Sequence, residues 1–179
     1  LKERELDLRG HQIPTIENLG GTRDAFEAID LTDNAITLLG NFPRSLRLQT
    51  LLLARNRVNC IHSSLAKSLP NLRCLVLTGN PLEELADLDP LHACSRLEFV
   101  SLLECPVSAR EYYRYYILWQ CPKIRFLDYQ KVKDAERARA NELFGSHDSP
   151  TDLAKSIMAV RHKTPAGRGT TASTGNGMR

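Results

Sequence analysis

An α/β solenoid of about five repeats is what this sequence predicts, with a concave parallel sheet, a C-terminal helical cap and a flexible tail. The first sign is a recurring string, L-x-L-x-x-N-x-[IVL]. It reads Leu6-Asp7-Leu8-Arg9-Gly10-His11-Gln12-Ile13, then Ile29-Asp30-Leu31-Thr32-Asp33-Asn34-Ala35-Ile36, then Leu51-Leu52-Leu53-Ala54-Arg55-Asn56-Arg57-Val58 and Leu75-Val76-Leu77-Thr78-Gly79-Asn80-Pro81-Leu82. A fifth copy, Val100-Ser101-Leu102-Leu103-Glu104-Cys105-Pro106-Val107, carries Cys105 at the Asn position. The second apolar residues, Leu8, Leu31, Leu53, Leu77 and Leu102, are separated by 23, 22, 24 and 25 residues. The second sign is a proline in most of the intervening segments. The third is a change of pattern at Glu111, where aromatics replace the repeat.

That string at that period is a leucine-rich repeat. Each L-x-L run predicts a short strand whose two apolar side chains point inward and whose middle residue points outward. The x-x-N turn follows, and Asn34, Asn56 and Asn80 have a structural explanation. An amide offers two donors and an acceptor to backbone groups that a turn leaves unmatched, so stacked asparagines form a ladder along the core edge. His11 and Cys105 occupy the same rung at the two ends. The return segments hold apolar anchors, Ile16 and Leu19, Leu38 and Phe42, Ile61 and Leu65, Leu85 and Leu88. Pro14, Pro43, Pro70 and Pro90 in the same segments predict irregular or short 3₁₀ stretches in place of long helices.

From Glu111 to Gln120 the spacing is helical and aromatic, and Cys121-Pro122 ends it. Lys123 to Asp128 alternates as a final edge strand. Five aromatics fall between Tyr112 and Trp119. They read as a cap closing the open end of the core, which a solenoid requires, in preference to a base-stacking platform. Residues 134–144 are charged and helical, with Asp134 as N-cap. Gly145 to Pro150 reads as a break, and Asp152 to His162 as a second amphipathic helix with Leu153, Ile157 and Val160 on one face. The expected divisions are therefore a repeat domain over 1–133 with its cap at about 110–133, a helical extension over 134–163, and a flexible basic tail over 164–179.

Composition narrows the function. Of the 179 residues, the last nineteen hold Arg161, Lys163, Arg168 and Arg179 and no acid, leaving 20 basic against 21 acidic residues elsewhere. A nearly neutral body argues against strong stand-alone nucleic-acid binding, which draws on phosphate neutralisation. No stretch reaches the roughly 18 to 20 apolar residues of a membrane span. The five cysteines, 14, 20, 11 and 16 residues apart, contain no C-x-x-C and predict reduced thiols inside the cell, with neither a disulfide framework nor a metal site. The five histidines read as isolated from one another, and no nucleophile, metal-protease, Walker or dinucleotide motif occurs. We expect no enzyme, no catalytic residues and no cofactor. Leu1 is no natural start, so upstream residues are expected.

Binding information then lies in the outward strand positions, taken as columns. Between the paired leucines stand Asp7, Asp30, Leu52, Val76 and Ser101. Just before them stand Glu5, Ala28, Thr50, Cys74 and Phe99, and just after them Arg9, Thr32, Ala54, Thr78 and Leu103. The surface grades from acidic to apolar, and contiguous apolar side chains on a concave face suggest a partner. An amphipathic helix with a basic flank would suit such a groove. The competing reading is that the C-terminal region folds back over the patch.

Three blocks go beyond the generic repeat. Arg4-Glu5-Leu6-Asp7-Leu8-Arg9-Gly10 precedes Ile13-Pro14-x-Ile16-Glu17-Asn18-Leu19-Gly20. Glu83-x-Leu85-x-Asp87-Leu88-Asp89-Pro90-Leu91 stands in the fourth return. Tyr113-Arg114, Pro122 and Arg125-x-Leu127-Asp128-Tyr129-Gln130-Lys131-Val132-Lys133 form the cap. Together they make residues 1–144 resemble the A-prime family of the U2 small nuclear ribonucleoprotein, a nuclear spliceosomal component. The resemblance implies a non-catalytic partner of the RNA-recognition-motif protein B-double-prime. The concave face would hold a helix of that partner, and the pair would bind a U2 RNA stem-loop alongside other spliceosomal proteins, without a membrane. On that reading Asp7, Arg9, Asp30, Thr32, Leu52, Ala54, Val76, Thr78, Phe99, Ser101 and Leu103 are the expected partner contacts, and Lys123, Arg125, Lys131 and Lys133 the RNA-contact candidates. Two departures stand out: the family's N-terminal capping segment is not in this sequence, and Cys105 replaces an Asn. The alternative is another intracellular leucine-rich-repeat adaptor, for example a phosphatase regulator, which would need more repeats for its longer arc.

Overall fold

The computed structural model describes residues 4–160. The end of the second amphipathic helix and the basic tail predicted above, from Arg161 onward, lie outside the described residues. The strands are β1 (Glu5–Asp7), β2 (Ala28–Asp30), β3 (Leu38–Leu39), β4 (Thr50–Leu52), β5 (Cys60–Ile61), β6 (Cys74–Val76), β7 (Phe99–Ser101), β8 (Phe126–Leu127) and β9 (Gln130–Lys131). The main sheet runs β1-β2-β4-β6-β7-β8-β9, parallel except for the last pair. Its register sets Leu6, Ile29, Leu51, Leu75, Val100 and Leu127 in one row. The last four of these are wholly buried, as the alternation of a strand requires. A second sheet, β3 paired in parallel with β5, lies in the returns.

Elsewhere the returns are tight, as their prolines dictate. They form 3₁₀ turns at Leu19–Thr22, Leu85–Ala93 and Pro106–Ala109, and a single helical turn, α1 (Leu65–Ser68). The anchors Ile16, Phe42, Ile61, Leu65, Leu85 and Leu88 are buried.

The asparagine ladder is present, and its wiring is regular. Asn34 donates to the carbonyls of Leu8 and Leu31, Asn56 to those of Leu31 and Leu53, and Asn80 to those of Leu53 and Leu77. Each amide thus ties its own repeat to the preceding one. Each amide oxygen accepts a backbone N–H from the preceding repeat: Ile13 for Asn34, Ile36 for Asn56 and Val58 for Asn80. Cys105 keeps one part of this pattern, its thiol donating to the Leu77 carbonyl at 3.1 Å. Its burial pushes the thiol up to about 11, as expected where the charged form loses solvent.

The cap is built on α2 (Tyr113–Gln120), α3 (Asp134–Phe144) and α4 (Asp152–Met158). Tyr116, Trp119 and Phe144 pack ring on ring with centroids 5.4 to 5.8 Å apart, and all three are buried. These rings therefore close the core, while Tyr112 and Tyr115 of the same segment are partly buried against it. Trp119 donates its indole N–H to the Gly145 carbonyl at 2.7 Å, which fixes the break after α3. Asp134 is not the N-cap. Lys133 holds that position, and Glu136 reaches back to accept its backbone N–H at 2.8 Å, the second half of a capping box. β8 is not the last strand either. Asp128 and Tyr129, at φ 53° and 63°, form a tight turn that returns the chain as β9. Two consecutive left-handed residues suit a two-residue hairpin, though Asp-Tyr lacks the glycine that usually announces one. Among the described residues no helix is long and apolar enough to cross a membrane.

Candidate protein-binding face and its basic rim

The strand register brings the predicted columns together on the concave side. One row reads Glu5, Ala28, Thr50, Cys74, Phe99 and Phe126, and the next Asp7, Asp30, Leu52, Val76 and Ser101. Backbone bonds from Gly10, Asp33, Arg55 and Gly79 to the carbonyls of Thr32, Ala54, Thr78 and Leu103 extend the register through the third row. Leu52, Val76 and Phe99 are half-buried and Leu103 is 40% exposed. The C-terminal helices leave this face open: α3 packs on α2, and α4 packs on α3 and the Leu85–Ala93 return.

Two predicted contacts need correction. Ser101 is fully buried, its hydroxyl 2.9 Å from that of Thr78. Asp30 is 7% exposed, accepts the Thr32 N–H at 2.9 Å and faces the Arg9 guanidinium at 3.6 Å. Neighbouring strands stand only about 4.8 Å apart, so a short side chain between longer ones is covered by them. Both residues support the face and do not form it.

At the acidic end Arg9 clamps Asp7, donating from Nε at 3.0 Å and Nη2 at 2.7 Å. The Arg9 hydrogen bonds hold the Asp7 carboxyl down at about 2. At the other end the structure adds two aromatics that column-reading missed. Phe126 extends the Phe99 row and is 40% exposed. Tyr129 is 64% exposed and meets Phe99 edge-on at 5.2 Å. Continuing the columns through the edge strand would have found Phe126. Tyr129 depends on the unforeseen hairpin.

The four RNA-contact candidates are all exposed but do not cluster as a set. Lys123 and Arg125 line an open groove of about 500 Å³ at the rim where the chain enters the strands. Lys131 pairs with Phe126 across the β8–β9 hairpin, and Lys133 caps α3.

The histidines also depart from expectation. His147 is stacked between Trp119 and His92, with centroids 4.0 Å from each. Partial burial, then the facing His92, lower its proton affinity below the ordinary histidine value. Both rings contact Gln120, His92 through Nδ1 to the carbonyl at 2.9 Å and His147 through Nε2 to the side-chain oxygen at 3.3 Å. Among the described residues no group of three or more His, Cys, Asp or Glu side chains could hold a metal.

Residues 1–158 match the family described as Leucine-rich repeat. The chain is 60% identical to U2 small nuclear ribonucleoprotein A' of Aspergillus fumigatus over 92% of its own length and 64% of that protein. It is 52% identical to the Schizosaccharomyces pombe protein of that name, over 91% of this chain and 68% of that one. This chain belongs to the U2 small nuclear ribonucleoprotein A' family. The human member is 48% identical over 92% of this chain and 64% of its own. The chain thus spans about two thirds of the length of the curated A' relatives it matches. Among solved structures, the Drosophila melanogaster SNF/U2A' complex is similar at a TM-score of 0.81 and 48% identity, covering 87% of this chain and 88% of that one.

Proposed function

We propose that this chain is a non-catalytic adaptor of the U2 small nuclear ribonucleoprotein, acting in the nucleus in pre-mRNA splicing. Its concave face holds a helix of an RNA-recognition-motif protein of the B-double-prime kind. The pair binds a U2 RNA stem-loop, mainly through that partner, which reads unpaired bases on its own sheet aromatics. The observation that carries this reading is the open patch of Leu52, Val76, Phe99, Phe126 and Leu103, apolar side chains from three neighbouring rows of the sheet, on the same face as the Arg9–Asp7 clamp. A solvated surface has no use for such a patch, whereas an amphipathic helix buries its apolar face there. The names of the relatives and the solved complex of one of them with SNF support it.

The test is calorimetric titration of Phe99→Ala and Leu52→Asp against the RNA-recognition-motif partner. An aromatic anchor at the centre of an interface is worth roughly 2 kcal/mol or more, which is about thirtyfold in affinity. Both side chains point away from the solenoid core, so both variants stay folded, with Phe99→Ala losing its contact with Tyr129 and Leu52→Asp facing Asp30 across the strands. Unchanged affinity in both would reject this face.

A further inference from the structure

We infer that the groove at the entering rim of the sheet is a binding site for the phosphate backbone of RNA, resting on the adaptor reading above. Its cations come from three successive segments of the solenoid. Arg73 and Arg125 immediately precede β6 and β8, and Arg96 and Lys123 lie two residues further back in their repeats. Parallel stacking at about 4.8 Å per strand turns these scattered residues into one wall. Four cations face a single carboxylate, Glu98, in a body that is nearly neutral as a whole, so the groove is a local basic concentration.

Glu98 aligns that wall more than it neutralises it. It lies 2.7 Å from Arg73 and 3.8 Å from Arg125, and both guanidiniums stay more than half exposed at 53% and 70%. Arg96 and Lys123 are exposed and form no ion pair among the described residues. Arg73 and Arg125 present planar forks suited to phosphate oxygens, and Lys123 a point charge.

The location favours RNA over an acidic peptide. Glu98 and Arg125 stand next in the chain to Phe99 and Phe126 of the binding face. RNA carried by a protein seated on that face would therefore pass along the rim. Leu46 is the one apolar side chain lining the groove, which leaves a peptide little to anchor on. The site takes Lys123 and Arg125 from the sequence candidates and adds Arg73 and Arg96.

The test uses the full chain carrying Arg96→Ala and Lys123→Ala together, because neither residue holds another element in place. A U2 stem-loop RNA is titrated against the chain alone near 50 mM salt, and against the chain–partner complex at several salt concentrations. Loss of two phosphate contacts lowers affinity about tenfold and flattens the slope of log K against log salt by about two. The control pair Lys67→Ala and Lys155→Ala, exposed on α1 and α4 away from the groove, leaves both unchanged. Partner affinity, measured without RNA, stays at the wild-type value, so failure of the groove is distinguishable from failure of the binding face. Wild-type RNA affinity and slope in the double variant, in either format, would overturn the assignment. So would polyglutamate displacing the RNA from the chain at equal charge concentration.

Discussion

Replacing Asn56 with Ala tests the ladder at its centre. The amide makes four bonds: to the carbonyls of Leu31 at 2.8 Å, Leu53 at 3.1 Å and Ala54 at 3.3 Å, and from the Ile36 N–H at 3.1 Å. The carbonyls have other partners, because Leu31 is also reached by Asn34 and Leu53 by Asn80. The Ile36 N–H has none, and it is buried. One orphaned buried donor costs about 1 to 3 kcal/mol, and the shared bonds add a fraction each. The expected loss is therefore about 2 to 3 kcal/mol, or roughly 5 to 10 °C in melting temperature for a chain of this size. Cys105→Ala is the internal control, since its thiol donates to the Leu77 carbonyl, which Asn80 also serves, and its weak sulfur acceptor meets the backbone N–H groups of Gly79 and Asn80. That variant should lose about 1 kcal/mol. Urea unfolding of both variants, with unchanged m-values, is the assay. Equal losses for the two, or a loss below about 0.5 kcal/mol for Asn56→Ala, would refute the wiring argument.

Two further outcomes follow from the cap and the turns. His147 has a lowered proton affinity in the folded chain, set by partial burial first and by His92 second, with Asp148 opposing. The unfolded chain therefore binds that proton more readily, so the stability given by the neutral ring is complete above the ordinary histidine value of 6.5 and falls as pH drops below it. His147→Phe keeps a ring in the stack and should flatten the fall in melting temperature between about pH 7.5 and 5.5; an unchanged pH dependence would exclude His147 as its source. Gly79→Ala and Gly145→Ala separate strain from collision. A Cβ at Gly79 meets nothing closer than 3.6 Å, so the left-handed backbone alone costs about 1 kcal/mol. A Cβ at Gly145 lies 2.7 Å from the Ser149 carbonyl in a region nearly closed to other residues, so that variant should lose over about 2 kcal/mol. Equal melting temperatures would contradict the distinction.

The period made the sheet legible, because one row of inward leucines per repeat fixes both the strand and its register. It also placed Asn34, Asn56 and Asn80, whose residue type has few other uses at a buried turn. What the period could not carry was anything assembled across repeats without a repeated letter. Arg73, Arg96, Lys123 and Arg125 share a wall only once the strands are stacked, and the columns nearest the leucines do not contain them. Burial of Asp30 and Ser101 was hidden for a related reason: a position's direction follows from alternation, but its cover follows from its neighbours' lengths. His92 and His147 lie 4.0 Å apart because Trp119 and the Gly145 turn bring a distant loop back, which no local spacing records.

The ladder and the binding face are two sides of one turn. Each residue before a rung takes a left-handed backbone: Gly10, Asp33, Arg55, Gly79 and Glu104 lie at φ 68°, 58°, 52°, 72° and 59°. Only two are glycines, so three repeats hold a conformation that L-residues resist. The rung bonds at Asn34, Asn56 and Cys105 offset that strain in the same repeats. Asp33 and Arg55 also grip each other across neighbouring turns, at 2.5 and 2.6 Å. The residue just upstream of each strained position belongs to the third concave row: Arg9, Thr32, Ala54, Thr78 and Leu103. Its direction is thus set by a turn that the buried ladder will not let relax. On the proposed function, a helix arriving on this face would meet side chains already in position, and binding would lose little to reorganisation. Weakening a rung should cost stability well before it costs the partner, because the face changes only once the turn itself opens.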